Sequence, residues 1–434
     1  MAAEKPAKDA RSTGKLLDVN AVAGNGLLDR RLFLTHSFAL AGAGSLPAIA
    51  GEASEPESFP DWMTRPGSPM SGYGSPSHQE SNVVRTTLST PLSPTIGASS
   101  TPLESLQGRI TPNGLHFERH HSGVPDIDPA EHYLKIHGLV TRALKFSVSD
   151  LLRYPMTSRF YFLECSGNGF LNLMEEPLDM SCGALNGLVS CSEWTGVKLS
   201  VLLDEVGTDP SSSWLIAEGA DAASLVRSIP LEKAMDDVLI ALYQNGERIR
   251  PEQGYPMRLF VPGWEGNLSV KWLHRLKVTQ QPAQSRSETA TYTDLAPNGK
   301  AEQFTFTMGV KSVVTHPSGK MMLPGAGTYE LSGLAWSGHG AIARVEVSAD
   351  GGATWADAAL EGPVMSKCAC RFRIPWTWDG NPATLMSRAT DSAGNTQPTR
   401  AAFNQRYGAS NMYHFNGVLA WAVDTDGVVK NTYA

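Results

Sequence analysis

From about Gln284 onward, short apolar segments with a two-residue period recur between Gly, Asp, Asn and Pro turns, as in GTYELSGLAWSG, IARVEVSADGGATW, CRFRIPWTW and ATLMSRATDSAGN. A period of two sends alternate side chains to opposite faces, so these segments bury themselves as half-covered strands stacked sheet on sheet. Their spacing predicts an immunoglobulin-like sandwich over residues 284–405, with a C-terminal tail at 406–434. The Asp-Gly-Gly turn before Thr354 and Trp355 predicts a hairpin.

Residues 108–283 follow a different rule. HYLKIHGLV, RFYFLEC, SSWLIAEG and VLIALYQNG predict short strands. SVSDLLRYP and WTGVKLSVLLDEVG carry helical spacing, the first with Ser149 or Asp150 able to cap. The fold class expected is α+β, a mixed domain followed by an all-β one, and 434 residues exceed what one ordinary core holds. Between them and the N-terminus, residues 51–107 are rich in Ser, Pro, Gly and Thr. Such a stretch buries too little apolar area to offset its ordering entropy, which predicts an extended arm, either a tether or a strap for a partner, parts of which can lie along a folded surface.

Residues 1–50 read as an export signal that stays outside the fold: Arg30 and Arg31 precede Phe33 and Leu34, an apolar run starts near Phe38, and Ala48-Ile49-Ala50 offers a cleavage pattern. The run falls short of the roughly 20 residues of a membrane span. The paired arginines resemble the twin-arginine signal of proteins exported already folded, which implies a periplasmic destination and a cofactor inserted before export. With 36 basic and 43 acidic side chains the net charge is −7, which gives no reason to expect nucleic acid and leaves any anionic ligand to local cations.

The five cysteines are Cys165, Cys182, Cys191, Cys368 and Cys370. An oxidising compartment permits disulfides, an odd count leaves at least one thiol otherwise occupied, and the pairing of the last four stays open. No C-x-x-C-H occurs, so a redox role needs an external electron carrier and no haem is expected in this chain.

The apolar segment RFYFLE runs into Cys165 and breaks at once into Ser-Gly-Asn-Gly. A lone thiol at a strand end is often a core residue, but the glycine-rich loop lets backbone amides approach a bulky group closely. LECSGNG resembles the Cys-Ala-Gly-Asn segment of the sulfite oxidase family of molybdenum enzymes. The resemblance implies one molybdenum–molybdopterin cofactor per chain, its metal bound by the Cys165 thiolate. HFERHH is similar to the family's Phe-x-Arg-Asn-His and implies Phe117, Arg119 and His121 at the cofactor, Arg119 also facing substrate. AEGAD supplies Asp221 as an acidic pterin contact. PEQGYPMRLFVPGWEGNLSVKW resembles the family's Gly-x-Pro-x-Arg…Val-Pro-Gly…Val-Lys-Trp run and brings Gln253, Arg258, Ser269 and Lys271 to the pterin and its phosphate, Gln253 standing where the family often has histidine. Tyr292 in ATYTD occupies the family's active-site tyrosine position, and FNQRYG makes Arg406 a candidate returning to the substrate pocket. The C-terminal segments resemble the family's dimerisation domain, with Trp336 and Trp355 read as core.

Sulfite-oxidising members usually carry an arginine five residues after the ligand cysteine, where this chain has Phe170. Exchanging a cation for a ring favours a less polar substrate than a dianion. Among periplasmic members the chain is similar to sulfane-oxidising molybdenum subunits, which implies a carrier protein bearing a cysteine persulfide as substrate, a c-type cytochrome as acceptor, and a homodimer forming a heterotetramer with that cytochrome. A sulfite:cytochrome c dehydrogenase and a non-catalytic module of the same fold are the alternatives.

Overall fold

The computed structural model describes residues 21–28, 60–90, 93–408 and 411–433. Arg30, Arg31 and the Ala48–Ala50 pattern lie outside the described residues.

The mixed domain is built on two five-stranded sheets. One runs Val226–Pro230, Trp214–Gly219, Leu273–Thr279, Tyr133–Gly138 and Leu144–Ser147, with Leu273–Thr279 parallel to Tyr133–Gly138. The other runs Glu247–Arg248, Leu239–Gln244, Val189–Lys198 and Met156–Glu164, with Arg258–Phe260 also pairing to Leu239–Gln244. All four predicted strands form, and alternation in Tyr133–Gly138 and Trp214–Gly219 buries every second side chain. Leu134, Ile136, Leu215, Ile240, Leu242 and Leu259 make the core with the Leu199–Val206 helix.

Two local expectations shift. The short helix Val148–Leu151 is capped by Ser147, with Asp150 closing a capping box, rather than by Ser149 or Asp150. Only the second half of WTGVKLSVLLDEVG is helical, because Trp194–Lys198 completes the long strand Val189–Lys198 between two neighbours. Pairing on both sides outweighs the helical spacing of the apolar residues.

The second domain is the expected sandwich. One sheet contains Gly327–Trp336 and Cys370–Trp378, the other Ile342–Ser348 and Ala383–Asp391, with Leu331, Trp336, Phe372 and Trp376 facing Val345, Leu385, Ala389 and Trp421 in one core. The Asp350-Gly351-Gly352 turn forms the hairpin to Ala356–Asp357, both glycines having positive φ. The 406–434 stretch is more than a tail: Ala420–Val423 and Val429–Thr432 extend the second sheet, since Trp421 and Val429 are fully buried there.

The N-terminal boundaries move as well. Within the stretch expected outside the fold, Ala21–Ala23 and Leu27–Leu28 form a small hairpin on the sandwich, where Leu27 pairs with Trp376 and Trp376 donates to Asn25 at 2.8 Å. Gly26, at φ +87, lies so close to Thr377 that a Cβ would sit 2.0 Å from its carbonyl oxygen, so the turn admits only glycine. Much of 60–85 is exposed, as expected of an arm. Its end is not: Thr86–Thr90 and Ser93–Ser100 pair with each other and then with Glu118–His120, because short Ser, Thr and Gly residues fit a crowded ladder beside Arg119.

The two domains share a core, in which Phe162, Cys182, Val189 and Cys191 pack with the sandwich residues. A buried polar contact crosses the same boundary. Glu164 accepts from Trp336 Nε1 at 2.7 Å and from Asn168 Nδ2 at 2.9 Å, and lies 3.6 Å from Lys311 Nζ. Glu164→Ala leaves Lys311 buried without its carboxylate, which predicts a loss of about 3–5 kcal/mol in denaturant unfolding, with Glu164→Gln losing less because it keeps an acceptor for Trp336.

His116 is fully buried against Phe117 and Trp194, and burial pushes its imidazole from 6.5 down to about 3. A lowered folded value means the unfolded chain binds the proton first as pH falls. Its contribution is therefore complete above about pH 6.5 and lost progressively toward pH 3. Stability profiles of the wild type and His116→Gln should accordingly converge across that window, the wild type having the steeper acid slope.

Candidate functional site

The strand Met156–Glu164 delivers Cys165 to a turn held at both ends. The Cys165 amide donates to the Leu188 carbonyl at 2.9 Å, and Asn168 N donates back to the Cys165 carbonyl at 2.8 Å. Asn168 turns inward, donating to Glu164 and accepting from the Leu188 amide at 3.0 Å. Gly169, at φ +86, reverses the chain into the short helical turn Phe170–Leu173. The loop thus fixes the thiol on a closed, hydrogen-bonded turn whose half-buried side chain faces a cavity.

Every candidate residue except Arg406 lines that cavity. Phe117, Arg119 and His121 come from the edge of the Glu118–His120 strand; Gln253, Arg258, Ser269 and Lys271 come from the segment around Arg258–Phe260; Asp221 and Tyr292 close the sides. Gln253 donates to the Phe117 carbonyl at 2.9 Å, joining the first two groups. His121 Nε2 lies 3.1 Å from the Tyr292 hydroxyl, and Ser122 Oγ donates to Asp221 at 3.0 Å.

Arg258 and Lys271 are the electrostatic core of the site. Arg258 Nη1 donates to the Gln253 carbonyl at 3.0 Å and Nη2 to the Ser269 carbonyl at 2.7 Å, while its buried Nε has no partner. Lys271 Nζ contacts the carbonyls of Arg119 and Glu252, each at 3.1 Å, and His120 Nδ1 at 2.9 Å. Among the described residues neither cation has a carboxylate in hydrogen-bond reach. Burial lowers Arg258 to about 9 and holds Lys271 well below the usual ammonium range, with the Arg258 charge adding to the second. The buried Arg258, the half-buried Lys271 and an orphaned N–H facing one cavity fit an anionic group such as a phosphate.

The thiol end differs in character. Burial pushes the Cys165 thiol up, against the Gly167 amide and Arg119, which pull it down. His121 is lowered to about 4, first by burial and then by Arg119 and Lys271, so it is neutral at pH 7 and available as acceptor or donor. Tyr292 is pushed up by burial and by Cys165 and stays a protonated phenol. Its backbone is held at φ +52, with the Arg227 guanidinium 5.1 Å from its ring. Among the described residues no three His, Cys, Asp or Glu side chains group as a metal site. One soft thiolate beside a cationic phosphate cradle instead suits a metal whose other ligands arrive on an anionic organic molecule, and the residues present fit molybdopterin.

An outer cavity of about 710 Å³ opens from the same centre, sharing Arg119, His121, Cys165 and Tyr292. Its further walls are Phe170, Leu88 and Ile96 of the Thr86–Ser100 hairpin, Met412 and Tyr413, with Arg286 beside them. Arg406 lies elsewhere: it is exposed in the helix Arg400–Tyr407, its guanidinium over the Tyr407 ring, and lines neither cavity. That helix runs along the surface, with Phe403 as its one buried side chain, and so turns Arg406 away from the site.

Several supporting residues escape sequence reasoning. Glu265 binds Arg227 at 3.2 Å and His414 at 2.8 Å beneath Tyr292, and His414 N donates to the Ser166 carbonyl at 2.8 Å. Burial lowers His414, but the Glu265 carboxylate outweighs it and raises the imidazole. These residues come from segments far apart in the chain, and nothing local marks them. Glu164 alone carried a signal, as a charge ending an apolar strand directly before Cys165.

Residues 121–287 match the family model of the oxidoreductase molybdopterin binding domain, and residues 302–420 that of the Mo-co oxidoreductase dimerisation domain. Mouse mitochondrial sulfite oxidase is 30% identical over 339 residues, covering 71% of this chain and 61% of that protein. The NADH nitrate reductase of Solanum lycopersicum is 32% identical over 352 residues, covering 70% of this chain and 38% of that protein. The chain therefore spans less than two thirds of the length of these relatives. The crystal structure of the sulfane dehydrogenase SoxCD from Paracoccus pantotrophus superposes with a TM-score of 0.84 at 44% identity, covering 87% of this chain and 97% of that one. Two domains matched in order, around a cavity that gathers a thiol with a cradle of cations, make this chain a member of the sulfite oxidase family of molybdopterin oxidoreductases.

Proposed function

We propose that this chain is the molybdenum subunit of a periplasmic sulfane dehydrogenase, oxidising the sulfane sulfur of a carrier-bound cysteine persulfide and passing electrons to a c-type cytochrome subunit. The observation that carries the reading is Phe170, which lines the outer cavity beside Cys165 at the position where sulfite-oxidising relatives usually hold an arginine. With Leu88, Ile96 and Met412 it makes an apolar approach to the thiol, suited to a sulfur atom borne on an uncharged arm rather than to a free dianion. The similarity to the sulfane dehydrogenase structure supports the same choice.

When bound, the molybdenum cofactor supplies a two-electron redox centre and the oxygen transferred to sulfur. The chain's own residues do the rest. Cys165 would hold the metal, Arg258 and Lys271 would neutralise the phosphate, and Asp221 would accept from the pterin. Arg119, which faces both cavities, orients the oxygens that accumulate on sulfur, and the protonated Tyr292 phenol donates toward the reacting centre. The sandwich serves as a dimerisation surface, and the pair of chains with two cytochromes makes a heterotetramer. A sulfite:cytochrome c dehydrogenase is the second reading, favoured by Arg119 and Arg286 in the outer cavity.

The test is cytochrome reduction by the molybdenum-loaded enzyme given either free sulfite or a persulfidated carrier protein. Turnover with the carrier and little with sulfite is expected. In Phe170→Arg the sulfite KM should drop about tenfold or more, the worth of one charge-assisted hydrogen bond, while carrier turnover declines. Efficient sulfite turnover by the wild type would make it a sulfite dehydrogenase. Removing a cradle cation acts earlier: Arg258→Met should purify folded, by circular dichroism, but with most of its molybdenum and pterin lost by elemental and fluorescence analysis.

A further inference from the structure

Cys191 and Cys368 stand apart from the cofactor site, yet they meet across the boundary between the domains. Cys191 lies in the strand Val189–Lys198 of the mixed domain, and Cys368 ends the loop that leads into the sandwich strand Cys370–Trp378. Both are buried, and their sulfurs are 3.6 Å apart, 177 residues distant in sequence. The surroundings hold the pair in place from both sides. Thr111 brackets Cys191, its amide donating to the Cys191 carbonyl at 2.7 Å and its hydroxyl accepting from the Cys191 amide at 3.2 Å. The loop before Cys368 is tied down by the Lys367 amide, which donates to Gly340 at 3.0 Å, and by the Lys367 carbonyl, which accepts from Phe162 at 3.0 Å. Arg109 donates to the Glu361 carbonyl at 2.7 Å and to that of Pro363 beside it.

We infer that Cys191 and Cys368 are a disulfide-forming pair which, once oxidised, locks the molybdopterin domain to the dimerisation domain. Two thiols in contact need only a small approach of their sulfurs to bond, and the bond costs only the Cys368 thiol's contact with the Ala369 carbonyl at 3.4 Å. The Cys191 contact, with the Arg109 charge, outweighs burial and holds the Cys368 thiol low, making it the attacking thiolate. It attacks one sulfur of a small disulfide, forming a mixed disulfide and expelling one thiolate. Cys191 passes its proton to that thiolate, attacks the Cys368 sulfur and expels the second thiolate. Two cysteine thiols are oxidised and one small disulfide is reduced to two thiols. Oxidation in the cell rests on the periplasmic reading; the competence of the pair does not.

The bond would act where the cofactor is held. Cys191 is three residues from Leu188, whose carbonyl anchors the Cys165 amide, and it pairs across the ladder with Phe162, three residues before Cys165. Closing so long a loop restricts the unfolded chain strongly, so the oxidised form should melt several degrees higher than the reduced one.

The experiment treats purified holoenzyme with oxidised or reduced glutathione, alkylates it under denaturing conditions, and maps peptides by mass spectrometry without reduction. A linked peptide joining Cys191 to Cys368 only after oxidation, with Cys182 and Cys370 alkylated, is expected. The redox-dependent melting shift should vanish in Cys368→Ser. All thiols alkylated after oxidation, or a link between Cys368 and Cys370, would overturn the inference. The same map on enzyme taken from the periplasmic fraction separates the two claims: a chain absent from that fraction defeats the localisation, whereas the glutathione arm judges the pair by itself.

Discussion

The arrangement of this molecule hangs on the carboxylate of Glu164. A charge at zero exposure is expensive unless every oxygen is engaged, and here the engagements come from three places. Asn168 ties it to the loop that presents Cys165, while Trp336 and Lys311 tie it to the sandwich. The Cys165 loop is therefore positioned by the second domain as much as by its own. That domain resembles a dimerisation module, but Trp336 and Lys311 also make it part of the support of the active centre.

The site itself is organised around charge that the protein leaves unmatched. Arg258, buried, and Lys271, half-buried, rest on carbonyl dipoles with no carboxylate in reach among the described residues. Such an arrangement costs stability in the empty protein and returns it when an anion enters, which couples cofactor binding to folding.

The outer cavity lies one layer further out. Leu88 and Ile96 belong to a hairpin of the Ser- and Pro-rich stretch, Phe170 to the cysteine loop and Met412 to the segment before the last two strands. Segments far apart in the chain converge on one opening that leads to the thiol. An approach of this composition discriminates by fit and desolvation rather than by charge.

Much of this could be read in advance. Alternating apolar residues specify strands because burial of one face is a local property, and the Asp-Gly-Gly hairpin follows from positive φ at its glycines. The lining of the inner cavity was legible because Cys165, Arg119, Asp221, Arg258 and Lys271 sit in short motifs whose spacing is kept by single turns and strands. Arg406 was misplaced because its surroundings depend on how a surface helix packs. The strands at Ala420–Val423 and Val429–Thr432, and the hairpin at 86–100, were missed because pairing partners far along the chain supplied their stabilisation. Glu265, His414 and the Glu164 bridge belong to the same class. Local chemistry specifies which groups a segment can offer, but only the folded chain determines which distant groups meet, because the desolvation that makes a buried charge demand partners does not exist until the domains close over it.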